Sequence, residues 1–202
     1  MTARPFYSIA ILLAASGMIF CYGSTEAADA AKVDQTIAGR TVTVGPCDLP
    51  VAAEVNVLVV GGSLEAVAAA VEASKAGCKT YLIAPRPYLG DDLCATLDLC
   101  WNDRPDTFSQ ADKEDCPLLT AMFASGKVTT PLTVKKTLEK ALVDNHVDFL
   151  LGCYPTDVLL DADGEAAGIV MANRAGRQAI VAKVIIDATP GSIVAQAASV
   201  DT

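Results

Sequence analysis

The chain has 202 residues, of which 52% are hydrophobic, with a formal net charge of −9 and one histidine. That apolar content supplies a core for one domain of ordinary size, or one and a half, and excludes a disordered chain. Acids interspersed with bases, with no clustered basic face, argue against a nucleic-acid partner, and one histidine among scattered cysteines gives no metal-ligand set.

The first element stands apart from the rest. In "MTARPFYSIAILLAASGMIFCYGSTEAADAAK" one base, Arg4, precedes an apolar run from Ser8 to Tyr22, and "ADA" closes the segment at Ala30. This is the layout of a secretory signal over residues 1–30, and the run is short for a membrane span. The expectation is an exported protein with no membrane attachment after cleavage. Cys47, Cys78, Cys94, Cys100, Cys116 and Cys153 would then meet an oxidising compartment that permits disulfides. Residues 31–54, ending in "GPCDLP", read as a linker into a domain over 55–202.

Within that domain "NVLVVG", Asn56 to Gly61, predicts a short strand buried on both faces. Leu64 to Ala76 predicts an Ala-rich helix closed by Gly77, and "KTYLIA", Lys79 to Ala84, predicts a second strand ended by Pro85 and Pro87. Strand, tight turn, helix and strand make a βαβ unit with a right-handed crossover. From Pro85 to about Thr129 no periodicity is clear, and so long an irregular stretch points to function. "TPLTVKKTLEKALVDN" restores helical spacing with Pro131 in its first turn, and "VDFLLG" predicts a third strand. "TDVLLD", "AAGIVMAN" and "QAIVAKVIIDAT", split by "DG" and "RAGR", predict an antiparallel meander. The last half of the third run, "VIIDAT", is apolar enough to return into the parallel sheet. The fold class is therefore α/β, a Rossmann-like dinucleotide-binding fold with a parallel sheet plus a meander.

The turn after the first strand carries the chemistry. A phosphate-binding βα turn uses one glycine for the tight bend, a second for close backbone approach and a third for helix–strand packing. Those positions here are Gly61, Ser63 and Ala66. A methyl group is tolerated at the third, and the serine hydroxyl can itself donate to phosphate. Backbone N–H groups from Gly62 to Leu64 would face an anion at the helix head. An acid is expected at the end of the second strand to bind the ribose, but that position is Ala84. Arg86 stands two residues on, and a missing acid beside an arginine is how a 2′-phosphate is admitted, so NADP rivals FAD on these residues alone.

Taken in order, "VLVVGGSLEAVAAAVEASKAG", "YLIAPRPYLGDDLCATLDL", "TPLTVKKTLEKALVDNHVDFLLGCYPTDVLL" and "AGIVMANRAGRQAIVAKVIIDAT" resemble the FAD-dependent oxidoreductases, two-dinucleotide-binding-domain flavoproteins with a glutathione-reductase-like fold. The resemblance covers Val55 to Ala195 and implies FAD as cofactor. It implies that Gly61, Gly62, Ser63 and Leu64 cradle the diphosphate. It also implies that Arg86 and the turn Leu89, Gly90, Asp91 and Asp92 lie along the adenosine and phosphate side. The Val158 backbone would address the adenine, and the stretch from Ala188 and Thr189 to Gly191 would run past the cofactor. In such proteins Asp91 is often glycine, and "DATPGSIVA" lacks the usual Gly and Asp after "DAT". A substrate domain, or a partner chain supplying one, is expected to complete the site around an unknown small molecule. A remnant that keeps the fold without catalysis, and an NADP-binding domain, are the alternative readings.

No catalytic side chain stands out. Cys94 and Cys100 have a C-x5-C spacing that turns the second sulfur off a shared helix face, so they read as partners in structural disulfides or as inert buried thiols. His146 sits where a helix should end, suited to the dipole there. Ser63 lacks the following glycine of a nucleophile elbow. Trp101 and the acids Asp112, Glu114 and Asp115 read as solvated loop residues.

Overall fold

The computed structural model describes residues 37–38, 41–42, 48–100 and 116–198. The segment 1–30 expected to be a signal, Cys47, Trp101 and the acids at 112–115 lie outside the described residues. By its contacts the chain divides into two compact units, Met1–Cys47 and Asp48–Thr202. In the first, β1 (Ile37–Ala38) and β2 (Thr41–Val42) form an antiparallel pair.

The second unit is built on one six-stranded sheet. Its strands are β3 (Val51–Val60), β4 (Thr80–Ala84), β5 (Asp148–Leu151), β6 (Tyr154–Leu160), β7 (Ala166–Asn173) and β8 (Gly176–Asp187), in the spatial order β5-β4-β3-β8-β7-β6. β5, β4, β3 and β8 are parallel neighbours, while β8, β7 and β6 are antiparallel. The expected parallel sheet and meander are thus one sheet. They are joined because β8 is long enough to pair with β7 along its first half and with β3 up to Val60↔Asp187.

The same pairing corrects the start of the first strand. β3 begins at Val51, so residues 51–54 of the expected linker belong to it. The partner edge of β8 recruits them, through Val51↔Ala179 and an N–H of Ala179 donating to the Pro50 carbonyl at 2.9 Å. Nothing local in "VAAEV" carries that signal, because an edge supplied by tertiary pairing decides it.

All the helices but the last cover one face of the parallel strands. α1 (Leu64–Lys75) and α4 (Pro131–Asp144) are the long ones; α2 (Asp91–Thr96), α3 (Pro117–Met122) and α5 (Ile193–Ala197) are short. Val57 and Val59 of β3 and Leu82 and Ala84 of β4 turn toward Ala66, Val67 and Ala70 of α1 and Val134, Leu138 and Leu142 of α4. Leu58, Val60 and Ile83 face the other way, against Ile169, Met171 and Ile180 of the meander and Val194 of α5. This alternation explains why the two central strands read as unbroken apolar runs: both of their faces are buried. α2 and α3 fall in the stretch expected to be irregular. Neither reaches two turns, too short for a helical period to register in sequence.

Both long helices end in the same motif. After α1, the N–H of Gly77 donates to Ser74 and that of Cys78 to Ala73, with Gly77 at φ +85°. After α4, the N–H of His146 donates to Val143 and that of Val147 to Leu142, with His146 at φ +54°. The lone histidine therefore occupies the left-handed position that glycine fills in the first helix. A left-handed residue with a side chain costs roughly 1–2 kcal/mol, partly offset by the extra chain entropy glycine loses. His146→Gly is expected to raise stability by about 0.5–1 kcal/mol, read as a higher urea midpoint with an unchanged m-value.

Candidate functional site

The site lies at the carboxyl ends of β3, β4 and β8, where β3 is flanked on one side by β4 and on the other by β8. In an open α/β sheet such a point is where a crevice forms. Here a cleft of about 430 Å³ is lined by Gly61 and Gly62, by Pro85, Arg86 and Asp91, by Tyr154 and Pro155, and by Thr189, Pro190 and Ile193.

Gly61 is held on both sides. Its N–H donates to Ile83 at 2.8 Å, and the N–H of Ala188 donates to Val60 at 2.9 Å. With φ at +146°, a Cβ at Gly61 would stand 2.5 Å from the Ala188 carbonyl oxygen, so the position admits glycine alone. A Cβ at Gly62 would meet the Ala84 methyl at 3.1 Å. The first two residues of the loop thus bring bare backbone to the head of α1. Ser63 is extended, and its Oγ accepts from the N–H of Ala66 at 3.3 Å. The hydroxyl caps the helix and keeps its own hydrogen available to donate. Ala66 is fully buried against β3, where its methyl is accommodated.

The second wall is the turn into α2. Gly90 has φ +74°, its N–H donates to the Gly62 carbonyl at 2.7 Å, and a Cβ there would lie 2.6 Å from Cγ1 of Val134. This turn docks on the phosphate loop itself. Asp91 lines the cleft. Asp92 does something else: its Oδ2 accepts the N–H of Leu64, the first residue of α1, at 3.2 Å, and its buried Oδ1 has no hydrogen-bond partner among the described residues. Burial pushes this carboxyl up; the amides of Leu64, Leu93 and Asp92 oppose that shift, and Glu65 adds to it. A carboxylate of the chain therefore rests at the helix head, where a phosphate group would be drawn.

The third wall is the end of β8. Asp187 accepts from the Thr189 N–H at 3.0 Å and hydroxyl at 2.6 Å, and from the N–H groups of Val194 at 2.8 Å and Ala195 at 2.9 Å. Burial opposes its ionisation. The Thr189 hydroxyl and the amides of Ala195, Thr189 and Val194 outweigh that, and they hold this carboxyl below the usual range. Thr189 is buried, and its Oγ1 also accepts from the N–H of Ile193, so this hydroxyl is engaged in shaping the turn.

The remaining sequence-derived positions divide. Arg86 is exposed on the cleft and forms no ion pair among the described residues. Ala84 is fully buried, with its methyl on Gly62, and Leu89 is fully buried in the core; neither side chain lines the cleft. Val158 is not brought to the cleft either. It lies mid-strand opposite Ile169, and its N–H is taken by Oδ1 of Asp157. Tyr154 and Pro155, at the start of the same strand, take its place. The signal available for them was the short connection from β5, which fixes which end of β6 meets the crevice. Pro190 falls within the expected stretch from Ala188 to Gly191, whereas Ile193 was missed, because the turn that presents it is made by Asp187.

The described cysteines, Cys78, Cys94, Cys100, Cys116 and Cys153, are free thiols. Burial pushes the Cys94 thiol up; Lys135 opposes this and Asp92 and Asp91 add to it, the reverse of what a redox thiolate needs. Among the described residues no helix is long and apolar enough to cross a membrane, and no group of His, Cys, Asp or Glu is arranged to hold a metal ion.

A parallel sheet with a glycine turn at its switch point, a meander continuing the sheet, and a returning strand beside the first define a nucleotide-binding domain of the flavoprotein type. The profile of the family described as FAD dependent oxidoreductase matches residues 56–202, and the chain belongs to that family. Solved structures with a similar fold include a geranylgeranyl bacteriochlorophyll reductase-like protein from Thermoplasma acidophilum, at TM-score 0.53 and 19% identity over 73% of this chain and 42% of that one. A flavoprotein/dehydrogenase from Cytophaga hutchinsonii is similar at TM-score 0.52 and 16% identity, over 74% of this chain and 42% of that one. CabE, an aromatic hydroxylase from angucycline biosynthesis, is similar at TM-score 0.52 and 15% identity, over 73% and 33%. The chain spans less than half the length of these structures. No curated protein sequence matches it. FAD is the family's cofactor, and the backbone cradle at Gly61 and Gly62 fits a diphosphate. The Asp92 carboxylate, on the first amide of α1, competes with it.

Proposed function

We propose that this domain holds FAD with its diphosphate over Gly61, Gly62 and Ser63, and serves an exported oxidoreductase acting on a small molecule. The observation that carries the reading is the close approach of Gly61 to Ala188, which leaves bare backbone at the junction of β3, β8 and α1. Bound FAD supplies the hydride or electron transfer. The chain's own residues bind and orient. The Ser63 hydroxyl donates to a phosphate oxygen, and Arg86 meets the adenosine side as a donor, where Ala84 offers no carboxylate to the ribose hydroxyls. Thr189 and Pro190 form the floor along which the cofactor runs. Pro155 has no N–H, so any backbone contact it makes to the adenine is through its carbonyl or ring.

A further domain or a partner chain is proposed to close the substrate side, in keeping with the 42% share of two of the similar structures that the chain covers. Export rests on the segment from Arg4 to Ala30. Expression of the full chain in a secreting host, followed by N-terminal sequencing of the exported form, is expected to read from Ala31. The purified protein, mixed with FAD and passed through gel filtration, is expected to carry a flavin absorbance band with it. A folded protein that elutes colourless at every pH between 5 and 8 would favour the remnant, and protection from unfolding by NADP but not FAD would favour the nicotinamide reading.

A further inference from the structure

We propose that Asp92 is a resident anion in the diphosphate subsite, a built-in gate that FAD must neutralise or displace to bind. The proposal rests on the FAD reading given above. Its observations are geometric. The first amide of α1 is already satisfied, by Oδ2 of Asp92 at 3.2 Å, although a helix head is where a dinucleotide phosphate docks. The turn that carries Asp92 is fastened to the phosphate loop through Gly90 and Gly62, and Gly90 is wedged against Val134 and Leu138. The carboxylate is therefore placed there by rigid backbone, and the α1 head does not select it from passing loops. Its second oxygen is buried without a hydrogen-bond partner among the described residues, so the present arrangement satisfies the amide of α1 at the expense of the carboxylate.

Charge makes the competition steep. Glu65 on α1 acts on Asp92 directly, Cys94 on its own helix feels Asp92, Asp91 and Lys135 of α4 together, and Arg86 lines the cleft beside Asp91. The carboxylates among them repel an incoming diphosphate as Asp92 does. Burial raises the pKa of Asp92, which primes it to take a proton as pH falls. Once protonated it becomes a hydroxyl donor, able to hydrogen-bond a phosphate oxygen where its anion excluded one. Cofactor binding is then favoured on the acid side and weakened toward neutral and alkaline pH.

The test compares the full chain with Asp92→Asn, which keeps an oxygen for the Leu64 amide and removes the charge. Affinity for FAD is read by flavin fluorescence and affinity for ADP by calorimetry, from pH 5 to 8. Asp92→Asn is expected to bind both ligands about tenfold or more tightly than the native chain at pH 7.5. The two should converge as pH falls, and subtracting the variant's profile removes every contribution that the two proteins share. Glu72→Gln, an exposed change at the far end of α1, is expected to leave both affinities unchanged. Equal affinities and parallel pH profiles for native chain and Asp92→Asn overturn the gate while leaving the FAD reading intact. Tighter ADP binding by the variant with FAD bound by neither protein keeps the gate and sinks the flavin reading. No binding of FAD or ADP by either folded protein sinks both. If Asp92→Asn fails to fold, Asp92→Ser removes the same charge and carries the comparison.

Discussion

Gly61→Ala is expected to cost the domain about 3 kcal/mol or more and to abolish cofactor binding, the largest effect of any single methyl group at this site. Two contributions add. A side chain forced to a backbone angle that only glycine adopts readily costs on the order of 1–3 kcal/mol. The new Cβ would also stand 2.5 Å from the Ala188 oxygen and 2.9 Å from its carbon, both of them backbone. Neither side can yield freely, because Ala188 is tied to Val60 and Gly61 to Ile83 by ladder hydrogen bonds, each worth roughly 0.5–1.5 kcal/mol. Relief of the clash pulls β8 from β3 at the point where the crevice opens. For a domain of this size about 3 kcal/mol lowers Tm by roughly 6–12 °C. Gly164→Ala separates the two contributions: Gly164 has φ +86° and nothing within 4 Å of its Cβ, so it meets backbone strain alone. Equal losses in the two variants, by urea unfolding, would remove the close approach of β3 and β8 from the account.

How far the sequence disclosed this site follows from which interactions are local. The strand–turn–helix at Asn56 to Ala76 was legible because it is local: an apolar run, two glycines and an Ala-rich helix. The return of "VIIDAT" beside the first strand was legible too, from its apolar start, although Val184 stays exposed. The four residues from Val51 were not, since their extended state depends on an edge more than a hundred residues away in sequence. The site itself was legible in part. Gly61, Gly62, Arg86, Asp91 and Thr189 line the cleft, whereas Val158 sits three residues past the part of β6 that does. Spacing places a residue on a strand more surely than it places that strand's end against a crevice. The role of Asp92 lay furthest from reach. In sequence it is one of two adjacent acids, and only the docking of the Gly90 turn on Gly62 carries it to the head of α1. Sequence gives the donors and acceptors of a site, but their pairing depends on which turns the core presses together.

Asp187→Ala is expected to lower stability by about 2–4 kcal/mol at neutral pH, nearly as much as the loop glycine, without touching the phosphate loop. The carboxylate gathers four donors: the Thr189 amide and hydroxyl, and the amides of Val194 and Ala195. Removing it leaves these part-buried donors without their acceptor at roughly 1–3 kcal/mol for each one that water cannot reach. α5 is too short to form unaided, so the turn at Thr189 and Pro190 loosens with it. The pH dependence has a definite sign. Because the folded-state pKa of Asp187 is depressed below the ordinary carboxylate value, its contribution is full above about pH 4 and is lost as pH falls through the folded value. The gap in stability between native chain and Asp187→Ala should therefore be constant from pH 5 to 8 and shrink below about pH 4. Asp92 has the opposite sign. Its folded-state pKa is raised, so its ionised form weakens the fold above that value, and Asp92→Asn should gain stability over the native chain as pH rises toward neutrality. Urea unfolding of the three proteins across this range reads both effects at once. A gap for Asp187→Ala that widens in acid, or a loss for Asp92→Asn at neutral pH, would reverse the electrostatic roles assigned to these two carboxylates, one at the head of α1 and one at the end of β8.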